Sequence, residues 1–196
     1  MARLGRQVDH FGQVIAESIR ADYSEDQRHR YTLQMEYQGD LLNGDRSETM
    51  TVILKNPSSA NEKRSDSTIR KVETFVFKRF PKTRYLNIFN IFAYRATDAI
   101  ELHQLMQEKG IEEGVGPAND AFLINLLNDT DNLIVAWGGP SAIDKKLYQN
   151  RINSVKDILK KNYSGPVFQV CGTKPTNEPL HGLMWGYEYE LKSVTI

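Results

Sequence analysis

The stretch YLNIFNIFAYRATD, residues 85–98, begins as a strand and ends as something else. Its first half alternates aliphatic and aromatic residues, yet Asn90 sits among them, and Tyr94, Arg95 and Thr97 follow with no Gly or Pro to announce a turn. An amide among buried aliphatics must find partners or cost about 1–3 kcal/mol. Two roles fit such a residue. As a ligand reader, Asn90 turns its side chain into a cleft; as a structural bridge, it spends both amide groups on the backbone of neighbouring loops.

Outward from this stretch, the chain reads as alternating strands and helices. RYTLQMEY (30–37) and MTVILK (50–55) have strand character and are joined through NGD at 43–45, which is hairpin turn chemistry. Asp66 or Ser67 can cap a helix carrying Ile69, Val72 and Val76. A helix is expected near 98–109, a loop over GIEEGVGPAND, and then a helix carrying Phe122, Leu123, Leu126 and Leu127. NLIVAW (132–137) and PVFQVC (166–171) read as strands around a helix with Ile152, Val155 and Leu159. Strands separated by helices of this length predict an α/β three-layer sandwich with a central, mostly parallel sheet. Near the N-terminus, Leu4, Val8, Phe11, Ile15 and Ile19 recur at three- and four-residue spacings, which predicts an amphipathic helix. The expected organisation is therefore an N-terminal helical extension over 1–28 and a single α/β domain over 29–196.

Composition narrows the function. Lys and Arg number 25, as do Asp and Glu, so the formal net charge is zero and bulk electrostatics suggests neither a nucleic-acid coat nor a membrane-surface protein. Charge is uneven along the chain: residues 55–84 hold nine basic against three acidic residues, and residues 98–133 hold one Lys against eight acids. The single Cys171 excludes an intrachain disulfide and the Cys-rich zinc patterns. No signal-like segment stands near the N-terminus, and no apolar run approaches the roughly 18 residues of a membrane span, so a cytoplasmic location is expected. There is no P-loop and no complete G-x-G-x-x-G after a strand, and His181 has no second ligand at metal spacing; no cofactor and no metal are expected.

In open parallel sheets, ligands bind beyond the carboxyl ends of the strands. Four unusual loops fall there: KNPSS with Asn56, Pro57 and Ser58; NIFAYRATD with Asn90, Tyr94 and Arg95; GGPS with Gly138; and GTKPTNEPLHGL with Lys174 and His181. Asn56 before Pro57 suits a turn as well as a site, and Gly138 allows either a tight turn or close backbone approach to a ligand. Arg95 and Lys174 are expected to meet phosphate or another anion, or else to pair with Asp98 and Glu178.

LKNPSSA, DSTIRK, NIFAYRATD, GPAND, VAWG and TKPTNEPLHGL occur in an order that resembles an uncharacterised family of bacterial and phage proteins with LNPSTA, NLFAYRAT, AWG and HPL signatures. The resemblance spans about residues 30–185 and departs at Lys55, Ser59 and Gly182. More distantly, a strand then Asn-Pro, a strand then Asn with a downstream Arg, a strand then Trp-Gly, and a late His loop together resemble the uracil-DNA glycosylase superfamily. That resemblance implies its fold and an N-glycosidic bond hydrolase acting on a base or nucleotide. Asn56 would orient water with help from Asp66, Asn90 would hydrogen-bond the base, and His181 would face the leaving group. Pro57, Ser58, Tyr94, Arg95, Gly138 and Lys174 complete the expected substrate contacts. The aromatic platform after the first motif and the Pro-Ser of the late loop are missing. The expected partner is a nucleobase, nucleotide or DNA. The alternatives are a non-catalytic nucleotide or modified-base binding module, and a protein-interaction factor in phage–host conflict that uses the acidic 98–133 surface.

Overall fold

The structure, a computed structural model, describes residues 7–39, 45–96, 98–173 and 178–196. In chain order the elements are β1 (Gln7–Val8), β2 (Arg20–Tyr23), β3 (Arg30–Glu36), β4 (Glu48–Leu54), β5 (Ser65–Asp66), α1 (Ser67–Arg79) and β6 (Thr83–Asn90). Then follow α2 (Ala99–Lys109), α3 (Ile111–Val115), α4 (Asn119–Asn128), β7 (Asn132–Val135), α5 (Lys145–Asn162), β8 (Val167–Cys171) and β9 (Glu190–Ser193). No helix among the described residues is long and apolar enough to cross a membrane.

Seven strands form one sheet in the order β2-β3-β6-β4-β7-β8-β9. The pairs β6–β4, β4–β7 and β7–β8 are parallel, whereas β2–β3, β3–β6 and β8–β9 are antiparallel. With the antiparallel ribbon of β1 and β5, antiparallel pairings outnumber parallel ones. The expectation of a mostly parallel sheet is therefore corrected to a mixed one with a parallel centre. Helices α1 and α5 are crossovers that return the chain in the same direction, while the outer strands pair without any such constraint.

The hairpin expected between residues 30–37 and 50–55 does not form. β6 lies between β3 and β4, antiparallel to the first and parallel to the second. Asn43 and Gly44 of its expected turn lie outside the described residues. Local turn chemistry loses to burial, because residues 86–90 of β6 are buried on both faces and belong at the centre of the sheet. Alternate residues of the central strands feed two cores. Met50, Val52, Leu54, Leu86, Ile88 and Ile134 pack with Ile69, Val72, Phe75 and Val76 of α1, and Ile53, Phe89, Leu133 and Val135 pack with α2, α4 and α5. The four α1 side chains, each fully buried, contribute roughly 6–12 kcal/mol gross before chain entropy is counted.

The N-terminal amphipathic helix is also corrected. Residues 7–23 form β1, a 3₁₀ turn at Ala16–Ser18 and β2, so the segment expected to be a helical extension supplies an edge strand of the sheet. Its apolar residues are used in extended chain instead. Phe11 packs edge-on against Phe77 of α1 at 5.3 Å, Val14 and Ile19 are buried, and Leu4 lies outside the described residues. Glu73, fully buried on α1, accepts the Phe11 N–H at 2.8 Å and holds His10 at 2.6 Å. These tertiary bonds replace the intrahelical ones that a helix would have offered, and Gly12 lowers the cost of doing so.

Candidate functional site

Asp66 builds the wall from which the site starts. Its Oδ1 accepts the N–H groups of Thr68 and Ile69 at 2.9 and 3.1 Å, capping α1, and its Oδ2 accepts the Ala60 N–H at 3.0 Å. Loop 55–60 is thereby tied to the helix N-terminus. Asp66 itself is 3 % exposed with both oxygens committed, so it acts as a support and not as a free base.

Beyond the carboxyl ends of β4 and β7, a cleft of about 480 Å³ opens between this loop, residues 138–141 and the late loop. Asn56, Pro57, Ser58, Gly138 and His181 all line it, so five expected site residues from three loops meet. Asn56 Nδ2 donates to the Pro57 carbonyl at 3.3 Å. Gly138 has φ 68°, and a Cβ there would stand 2.9 Å from His181 Cβ, so only glycine lets the two loops touch. The late loop is anchored from behind. Lys71 Nζ donates to the Leu183 carbonyl at 2.6 Å, Trp185 Nε1 donates to the Leu180 carbonyl at 2.9 Å, and the Trp185 ring packs 4.8 Å from Phe75.

His181 has a defined protonation state. Burial first, and the Lys55 charge second, push its pKa down to about 4 against a weaker opposing pull from Asp66. Its Nδ1 accepts the Leu183 N–H at 3.3 Å, which places the single ring proton on Nε2. The cleft thus holds a neutral imidazole with a donor to offer at pH 7.

Other expected residues stand elsewhere. Asn90 lies in register with Leu54, which lines the cleft, but it is 0 % exposed and both side-chain amide atoms lack a partner. It is therefore neither exposed in the cleft nor bonded as a bridge; its contribution to the fold is its carbonyl, which accepts Asn119 Nδ2 at 3.0 Å. Arg95 is exposed, donates from Nη1 to the Gln27 carbonyl at 3.0 Å and lies 5.1 Å over the Tyr23 ring. Tyr94 packs edge-on to His29 at 5.7 Å. Both face the β2–β3 corner and not the cleft, and among the described residues Arg95 makes no ion pair with Asp98. Lys174 lies outside the described residues.

Three cleft residues escaped the sequence reading. Lys55 is 7 % exposed, and its Nζ donates to Ser141 Oγ at 2.8 Å. Ser141 has φ 56°, a left-handed conformation that costs a residue with a Cβ about 1–2 kcal/mol. Asp98, which also lines the cleft, caps α2 with Oδ1. The available signal was Lys55 itself, a charge directly after five residues of buried strand. A second concavity of about 500 Å³, lined by Asp22, Gln34, Asn87 and Asp129 among others, brings none of the three loops together. Among the described residues, no three His, Cys, Asp or Glu side chains are grouped as a metal site.

Residues 30–183 match the model of a family described as "Protein of unknown function (DUF1643)", and the chain belongs to that family. No curated protein and no solved structure matches it.

Proposed function

We propose that this DUF1643 member is a nucleobase-directed N-glycosidic hydrolase of the cytoplasm, with a uracil-DNA-glycosylase-like fold, and that the cleft between loops 55–60, 138–141 and 178–184 is its active site. The observation that carries the reading is the meeting of Asn56 and a neutral, Nε2-protonated His181 in one cleft at the carboxyl ends of parallel strands. Such a placement is where open α/β sheets hold their ligands. A water held by Asn56 adds its oxygen to C1′ of the sugar while the C1′–N bond breaks. The bond's electron pair leaves with the base, the Nε2–H of His181 hydrogen-bonds the departing anion, and the water's proton ends on the base. A neutral imidazole with a depressed pKa suits this role, because it donates a hydrogen bond without carrying a charge that burial would penalise. Asp66 takes part as a positioning residue through loop 55–60.

A second reading, a binding module without catalysis, is favoured by one observation: Asp66 has both oxygens committed and Asn56 cannot accept a proton at neutral pH, so neither residue assigned to the water can serve as its base. Incubation with deoxynucleosides, their monophosphates and short DNAs bearing deaminated bases, followed by chromatography for free base, separates the two. Base release that is lost in Asn56→Ala and His181→Ala supports hydrolysis. Thermal stabilisation by the same compounds without release supports the binding module, and neither result would remove nucleobases from the function.

A further inference from the structure

Lys55 directly follows β4 and lines the cleft with its side chain largely buried. Its Nζ bonds the neutral Ser141 hydroxyl at 2.8 Å and lies 5.6 Å from the centre of the Tyr148 ring. Among the described residues it makes no ion pair. Burial lowers its pKa with no carboxylate working against that. The carboxylate that shares the cleft lining is Asp98, at the start of α2, with Oδ1 already capping that helix. An ammonium buried without a counter-charge is costly unless something anionic meets it.

The groups around Lys55 are donors. Ser58 Oγ is buried on the cleft lining with no partner. Ser141 Oγ accepts from Lys55, which leaves its own proton to give, and His181 offers Nε2–H. Several donors around one ammonium suit the terminal oxygens of a phosphoryl group better than the two oxygens of a carboxylate, and Lys serves phosphate as a point charge. The cleft's volume, about 480 Å³, lies within the range of small-molecule sites, roughly 300–1,000 Å³. Lys55 is the one cation among the described lining residues, so the cleft matches one phosphate and not a track of them.

We infer that Lys55, Ser58 and Ser141 form a phosphate-binding subsite, so that the cleft takes a phosphorylated small molecule: a nucleoside monophosphate, on the reading proposed above. Free bases and duplex DNA lack the matching monoester. The test measures binding of inorganic phosphate, deoxynucleosides and their 5′-monophosphates by calorimetry at constant ionic strength. Wild type, Lys55→Met and Ser58→Ala are compared. Wild type is expected to bind a monophosphate roughly 10- to 100-fold more tightly than its nucleoside, as a charge-assisted contact allows. Lys55→Met abolishes the difference, while its melting temperature holds or rises because the uncompensated charge is gone. Ser58→Ala, which removes a hydroxyl with no partner in the fold, keeps the melting temperature and narrows the difference; it carries the test should Lys55→Met fail to fold. Equal affinity for nucleoside and monophosphate in the wild type overturns the inference, as does an undiminished phosphate preference in a folded Lys55→Met. Binding of inorganic phosphate that depends on Lys55, with no discrimination among bases, sustains the subsite and overturns the nucleobase reading. Tighter binding of a duplex than of any monophosphate overturns the small-molecule assignment.

Discussion

Replacing Asn90 by leucine should make the protein more stable. Asn90 is 0 % exposed, and its Oδ1 and Nδ2 both lack hydrogen-bond partners. Each such group costs roughly 1–3 kcal/mol when removed from water without replacement. Leucine has the same branched side-chain skeleton with bulkier ends, and the residue in register with position 90 is Leu54 of the α1-side core. Allowing for imperfect packing of the branched side chain, a net gain of about 2 kcal/mol is expected, which for a chain of this size is a rise of about 4–8 °C in melting temperature. Asn90→Asp should do the opposite. It buries a carboxylate whose folded-state pKa rises above its unfolded value, so the variant loses stability as pH rises and regains it as pH falls toward 5. The assay is thermal unfolding of wild type and both variants between pH 5 and 8, with ligand affinity measured on each. A stable Asn90→Leu that no longer distinguishes bases marks Asn90 as a polar group kept for function and not for the fold. A drop of several degrees in Asn90→Leu refutes the reasoning, because it means the amide is satisfied in solution and belongs to the fold.

Two histidines should respond to pH in opposite senses. His181, neutral with a pKa of about 4 against 6.5 when unfolded, should cause stability to fall by on the order of 2 kcal/mol as pH drops from 6.5 to 4, after allowance for its partial exposure; His181→Gln should flatten that window in thermal scans. His10 places Nδ1 on the Glu73 carboxylate and Nε2 on the Asn61 carbonyl, so both nitrogens must donate; burial opposes the charge, but the hydrogen bond and charge of Glu73 raise its pKa. Its stabilisation is full below pH 6.5 and is lost as pH rises through the folded value, and Glu73→Gln should cost about 3 kcal/mol and remove that dependence. Gly138→Ala combines a positive φ with a Cβ 2.9 Å from His181; it should cost about 1–2 kcal/mol and weaken ligand-induced stabilisation, as thermal-shift titration would read.

Where neighbours in the chain decide the outcome, the sequence by itself was sufficient. Asp66 before Ile69, Val72 and Val76 specifies a capped amphipathic helix, and α1 is that helix. The apolar runs at 50–55, 85–90, 132–137 and 166–171 specify strands, and β4, β6, β7 and β8 fall on them within two residues at either end; the loops after β4 and β7 were recognisable as one end of a sheet. Pairing was decided only in three dimensions. β6 separates β3 from β4 because burying both faces of its residues 86–90 outweighs one favourable turn, and residues 7–23 form no α-helix because Glu73, more than 60 positions from His10 and Phe11, binds those two to α1. GIEEGVGPAND likewise reads as a loop but contains α3, whose Gly114 packs against Met106 and Leu102 of α2. The meeting of Asn56, Gly138 and His181 in one cleft was legible because each follows a recognisable strand or sits in a distinctive loop. The burial of Lys55, the complete burial of Asn90 and the turning of Arg95 toward Tyr23 could not, because solvent exposure and hydrogen-bond supply depend on which distant segments cover a residue, and no local pattern encodes that cover.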